Sequence, residues 1–196
     1  MSKKILKVSS MFLFAGALVM IMPSCKSSKN VGKAVSEGMT EITVPLSSKE
    51  YQSTKELFRA KSVGKSPDIA TAKKIALNNA KAELAGLITT TIKSVTHNYT
   101  NQRSVTDAQD FENKFENLTK EIVAQQMSNV AIIGEKVFKD KTGTVEYWVA
   151  IEMSTSSVLD GLTNKVSQNQ KLQIDYDKKK FEEATKEEFE KMDANK

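Results

Sequence analysis

Cysteine, histidine and tryptophan each occur once in these 196 residues, as Cys25, His97 and Trp148. A single cysteine excludes an intrachain disulfide and leaves the thiol to be explained in some other way. A single histidine, flanked by Thr96 and Asn98, lacks the acidic or further histidine partners that a general base or a metal site needs, so it reads as a solvated side chain. The one thiol, Cys25, is accounted for by the modification described below, which leaves Cys–His catalysis without a nucleophile, and no G-x-S-x-G elbow offers a serine one. Gly64, Lys65 and Ser66 precede a helix start, but the phosphate-binding loop needs a glycine five positions before Gly64, where Arg59 stands. They read as a turn and a cap. The paired acids of the C-terminus, Glu182, Glu183, Glu187 and Glu188, are interleaved with lysines, which fits i,i+4 surface pairing. Catalytic, metal-binding and cofactor-binding residues are therefore expected to be none, and the protein not to be an enzyme.

Long apolar runs are also missing, apart from one. Residues 8–22, VSSMFLFAGALVMIM, form an uncharged stretch of about 15 residues, the length of a secretory signal's apolar core and short for a membrane span. The preceding segment carries Lys3, Lys4 and Lys7 and no acid. Met22, Pro23, Ser24 and Cys25 follow, and they resemble the lipobox of bacterial lipoproteins: an apolar residue three positions before the cysteine and a small one just before it. Acylation would account for the lone thiol. Two or three acyl chains, at about 0.8 kcal/mol per buried methylene, hold a protein stably on a membrane. The expectation is a signal peptide over residues 1–24, lipidation (palmitate and diacylglycerol) at Cys25, and a membrane partner reached through lipid.

The charge balance of 29 − 24 = +5 is largely an export feature, because removing the three signal lysines leaves 26 − 24 = +2. No dense basic stripe with interleaved aromatics appears, so nucleic acid is not an expected partner.

Residues 25–50 are rich in Ser, Lys and Gly and read as a flexible tether. A short strand is predicted at residues 41–44, ended by Pro45. Residues 57–63 read as a strand, with a turn at Gly64 and Lys65. Ser66, Pro67 and Asp68 start a helix as cap, first helical residue and first-turn acid. Ile69, Ala76, Leu77, Ala80, Leu84, Leu87, Ile88, Ile92 and Val95 recur at helical steps, and the six alanines Ala70, Ala72, Ala76, Ala80, Ala82 and Ala85 favour helix and close approach. The β-branched, polar run from Thr89 is expected to fray or bend. A second helix spans about residues 107–127, with Phe111, Phe115, Leu118 and Ile122 as its stripe. Strands follow at 128–139, with a bulge at Gly134, and at 144–153, with a Gly-containing loop at 140–143 between them.

In the last strand Val145, Tyr147, Val149, Ile151 and Met153 face one way and Trp148 the other. Trp148 is then either covered by the C-terminal helix or exposed in an interaction surface. Thr155 or Ser156 caps a third helix. Residues 168–196 read as a long, charged, exposed helix with Phe181, Phe189 and Met192 as a thin apolar edge, either solvated or a docking surface. The fold class is α+β: a small antiparallel sheet packed against a long Ala-rich helix, with further helices including the C-terminal one.

This arrangement resembles the LPP-twenty-type bacterial lipoprotein family, typified by the Helicobacter twenty-kilodalton membrane lipoprotein. The resemblance rests on Phe58, Arg59 and Ala60, on residues 66–70 (SPDIA), on the Ala-rich stretch 72–87, and on residues 145–150 (VEYWVA). It covers residues 51–162, within an expected domain of 51–167. It implies an envelope protein, often at the outer membrane, with envelope-protein partners and no agreed catalytic residues. Lys26, rather than aspartate, follows Cys25, which favours the outer membrane. The expected role is structural or protein-binding. The alternative is a periplasmic or surface module that binds a ligand or peptidoglycan.

Overall fold

The computed structural model describes residues 34–36, 39–103, 105 and 107–194. Cys25, the signal segment and most of the tether lie outside these residues. The chain divides between Ile42 and Thr43 into two compact units. In the first, β1 (Ala34–Ser36) pairs antiparallel with β2 (Met39–Thr40). The strand predicted at residues 41–44 does not form. Pro45 has no N–H for a ladder, and Leu46 follows at φ 55°, a left-handed turn position unusual for a branched side chain. Burial of Leu46 holds it there. The second unit thus begins at Thr43, within the stretch expected to be tether.

That unit contains β3 (Leu57–Ser66), α1 (Ile69–Arg103), α2 (Ala108–Gln126), β4 (Ala131–Lys139), β5 (Val145–Ser154), α3 (Thr155–Ser167), α4 (Gln170–Asp175) and α5 (Lys178–Ala194), with single 3-10 turns at Lys49–Tyr51 and Met127–Asn129. It is the α+β architecture expected: an antiparallel three-stranded sheet in the order β3-β5-β4, with the Ala-rich helix packed on one face.

Alternation in β5 fixes which face is the core. Val145, Tyr147, Val149, Ile151 and Met153 are buried against α1. On β3 the same face carries Phe58, Ala60, Ser62 and Gly64, and it meets Ala72, Ala76 and Ala80 of α1. Small residues on both sides bring the helix axis close to the strand. Gly64 is therefore not the turn it was predicted to be. It pairs with Tyr147 inside the strand, and a Cβ there would stand 2.1 Å from Ala72 O and 2.5 Å from Ala76 N.

The helix starts two residues later than predicted. Ser66 Oγ accepts from Asp68 N, while Asp68 is the cap: its carboxylate accepts from Thr71 N at 2.7 Å and its carbonyl from Ala72 N.

The run expected to fray instead continues α1 to Arg103. Tertiary burial outweighs its modest propensity. Thr91, Ile92, Val95, Thr96, Tyr99 and Thr100 are all buried, and Thr96 Oγ1 donates back to Ile92 O. Around them Tyr99, Phe111, Phe115, Tyr176 and Phe181 form a continuous aromatic cluster with ring centroids 4.9–6.5 Å apart. Truncating one of its fully buried phenylalanines to alanine would cost about 3–5 kcal/mol.

The C-terminal region departs most from expectation. It is two helices rather than one, and it is docked rather than exposed. Tyr176 is extended and breaks the helix, Leu172, Phe181, Ala184 and Phe189 are buried, and Phe189 meets the Phe58 ring at 5.5 Å. Tyr99 Oη fastens the break by donating to Asp175 O at 2.5 Å and accepting from Asp177 N at 2.8 Å. The side chain of Met192 lies outside the described residues.

Gly134 carries the predicted bulge, since the β4–β5 register shifts between Ile132 and Gly134. The Tyr51 ring lies where a Gly134 Cβ would be, 2.6 Å from the nearest ring carbon.

Candidate functional site

Trp148 stands on the sheet face opposite α1, as the alternation in β5 requires, and is half-buried. α5 lies on the α1 side, where Phe189 touches Phe58, so the C-terminal helix is not what covers the indole. Its register neighbours are Val63 on β3 and Lys136 on β4. The same face carries Arg59, Lys61 and Lys65 from β3, Glu146 and Glu152 from β5, and Phe138 from β4. Arg59 Nε donates to Glu152 at 2.9 Å, and its Nη1 reaches Gln52 O, which ties residues 52–56 to this face. Lys65 pairs with Glu146 and holds that carboxyl below its usual range. The buried Trp148 N–H makes a smaller contribution to the same effect without reaching hydrogen-bond geometry. Lys65 is thus a strand residue in an ion pair, and Gly64, Lys65 and Ser66 lie within β3 rather than in a loop.

A groove of about 560 Å³ opens between α3, α5 and the residues just before β3. Leu159 and Phe189 supply its apolar wall, and Lys55, Glu56, Glu182, Lys186 and Glu190 its charged rim. Charges of both signs in such a site select for no one ligand charge. Thr155, at its margin, has a buried hydroxyl without a hydrogen-bond partner, while its N–H donates to Glu56 O at 2.9 Å.

Two polar clusters were not visible as local patterns. His97 does have an acidic neighbour: Glu112 of α2, whose Oε1 lies 3.1 Å from Nδ1 and accepts from Thr100 Oγ1 at 2.6 Å. Thr100, and after it His97, lowers the Glu112 pKa. The second cluster joins α1 to the hairpin. Glu135 Oε1 accepts from Lys73 Nζ at 2.8 Å and from Tyr147 Oη at 2.6 Å, and the Lys73 ammonium also sits 5.5 Å from the Tyr147 ring centre. The Lys73 ammonium and the Tyr147 hydroxyl hold Glu135 below its ordinary range, while burial, with Glu135 second, raises Tyr147. Such contacts join residues 12 or more positions apart in sequence, so only the helix pairing and the hairpin reveal them.

Both clusters join secondary-structure elements and expose no activated nucleophile. Among the described residues no group of three or more His, Cys, Asp or Glu could hold a metal ion. No protein-family model matches this chain, and no curated protein or solved structure is significantly similar to it.

Proposed function

We infer that this is a lipid-anchored protein of the bacterial cell envelope, held at the outer membrane through Cys25 and acting by structural support or protein contact rather than catalysis. The observation that carries the reading is the N-terminal pattern: three lysines, an uncharged apolar run over residues 8–22, then Met22, Pro23, Ser24 and Cys25. The resemblance of residues 51–162 to LPP-twenty-type lipoproteins supports an envelope role, and Lys26 after the cysteine supports the outer membrane. The start of the second compact unit at Thr43 is consistent with acylation some way upstream of the domain. The partly exposed sheet face around Trp148, with Lys61, Lys136 and Phe138, offers a surface for contact.

Metabolic labelling with a palmitate analogue, followed by membrane fractionation, tests the anchor. The native chain is expected to incorporate label and sediment with the outer membrane. Cys25→Ser should lose the label and leave that fraction. Label retained on Cys25→Ser, or unchanged outer-membrane fractionation, would sink the proposal.

A further inference from the structure

The two edges of the sheet are finished differently. The outer edge of β3 is occupied: Ser53 Oγ accepts from Arg59 N and donates to Arg59 O, and Asn79 Nδ2 donates to Val63 O. The outer edge of β4 has no such cover among the described residues, because β4 is the terminal strand and only β5 pairs with it. β4 is nine residues long, contains no proline, and leaves Ile132, Val137 and Phe138 between 42% and 48% exposed. Long, apolar, uncovered edges are templates for another strand.

We propose that β4 pairs antiparallel with β4 of a second copy of this chain, about a two-fold axis at Val137, to make one continuous six-stranded sheet. A two-fold axis normal to the sheet keeps faces together, so only registers that place a residue opposite one of its own face are allowed. Centring on Lys136 sets lysine against lysine, and centring on Glu135 sets acid against acid; both are unfavourable. Centring on Phe138 places Lys136 opposite Asp140, which lies beyond the end of β4 in the hairpin turn, where its Oδ1 accepts from Thr142 N and Thr144 N, and sets Lys139 against Val137 with no complementary charge.

Centring on Val137 sets Val137 against its own copy, Glu135 against Lys139, and Lys136 against Phe138, each of the last two twice. The partners suit this. Lys73 and Tyr147 both use Glu135 Oε1, so Oε2 is bound by no described residue. Lys136 and Lys139 make no ion pair among the described residues. An ammonium opposite the Phe138 ring gains a cation–π contact. Edge lysines ordinarily deter strand addition; here each has a complementary group in this one register.

The test uses the full chain carrying Cys25→Ser, so that any introduced cysteine is the only thiol. Sedimentation across a range of concentrations should show a monomer–dimer equilibrium, and Val137→Lys, which opposes two ammoniums at the axis, should weaken it by about tenfold or more with the circular dichroism unchanged. Under mild oxidation Val137→Cys should cross-link fast, whereas Lys61→Cys on the sheet face should not. Lys136→Cys and Phe138→Cys should cross-link readily when mixed and slowly when alone, which reads the register independently of how Val137→Lys behaves. A chain that stays monomeric at every concentration, or cross-links no faster at Val137 than at Lys61, overturns the proposal. So does hydrogen exchange that shows residues 135–139 protected in a monomer, which would mean that another segment of the same chain holds the edge.

Discussion

Gly64 shows how one hydrogen in place of a methyl group sets the distance between two layers. The atoms a Cβ would strike belong to the backbone of α1, and backbone cannot swing aside as a side-chain tip can. Gly64→Ala is therefore expected to destabilise the protein by about 1–3 kcal/mol or more. Gly86, exposed on the same helix with nothing within 4 Å of where a Cβ would stand, is its control: Gly86→Ala should stabilise by about 0.5–1 kcal/mol through helix propensity. Urea titrations of the two variants check the difference, and equal effects would refute the packing role of Gly64. Tyr99 acts through a single oxygen. Its ring is core, while its hydroxyl serves Asp175 O and Asp177 N at the break between α4 and α5. Tyr99→Phe keeps the ring but leaves both groups unpaired, and should cost about 1–3 kcal/mol. Thermal unfolding of that variant measures it.

At the scale of elements, the hairpin is tied to α1 by Glu135, Lys73 and Tyr147. Glu135 has a depressed pKa in the folded state, through Lys73 first and Tyr147 second. Its contribution is thus present above the unfolded value of 4.5 and lost as pH falls through the folded one. Glu135→Gln is expected to be less stable than the native chain at neutral pH, and the gap should close as the solution is acidified below 4.5. Denaturation midpoints measured from pH 7 to pH 3 would show it; a gap independent of pH would refute the linkage. Helical periodicity placed α1 and α2, and alternation placed β5, because a face buried over several turns or pleats imprints its period on the sequence. Gly134 was readable as a bulge for a similar reason. The turn assigned to Gly64 and Lys65 was not correct, since a glycine kept for close approach carries the same letter as one kept for a turn. Nor was the fraying or bending expected of residues 89–102 correct: the α2 and α5 faces that bury those threonines and Tyr99 lie elsewhere in the chain.

For the whole molecule, the compact unit from Thr43 makes residues 43–56 part of the domain. Leu46 is buried, Tyr51 fills the space above Gly134, and Ser53 closes the β3 edge. A chain beginning at Thr43 should melt at the temperature of the full chain, whereas one beginning at Leu57 should melt several degrees lower. Calorimetry distinguishes these outcomes, and identical melting of the two shortened chains would show that the segment is dispensable.

Composition and pattern by themselves determined the class of fold, the long Ala-rich helix, the face of β5 that is core and the expectation of an acylated Cys25. Each of these is written in a local period or in a short motif read by chain position. Only the tertiary structure decided that the charged C-terminus breaks at Tyr176 and docks its sparse phenylalanines into the core, that His97 meets Glu112, and that among the described residues one sheet edge is closed while the other is open. Those outcomes depend on surfaces brought together from distant parts of the chain, and a sparse apolar stripe or a lone histidine does not say in sequence what it will face.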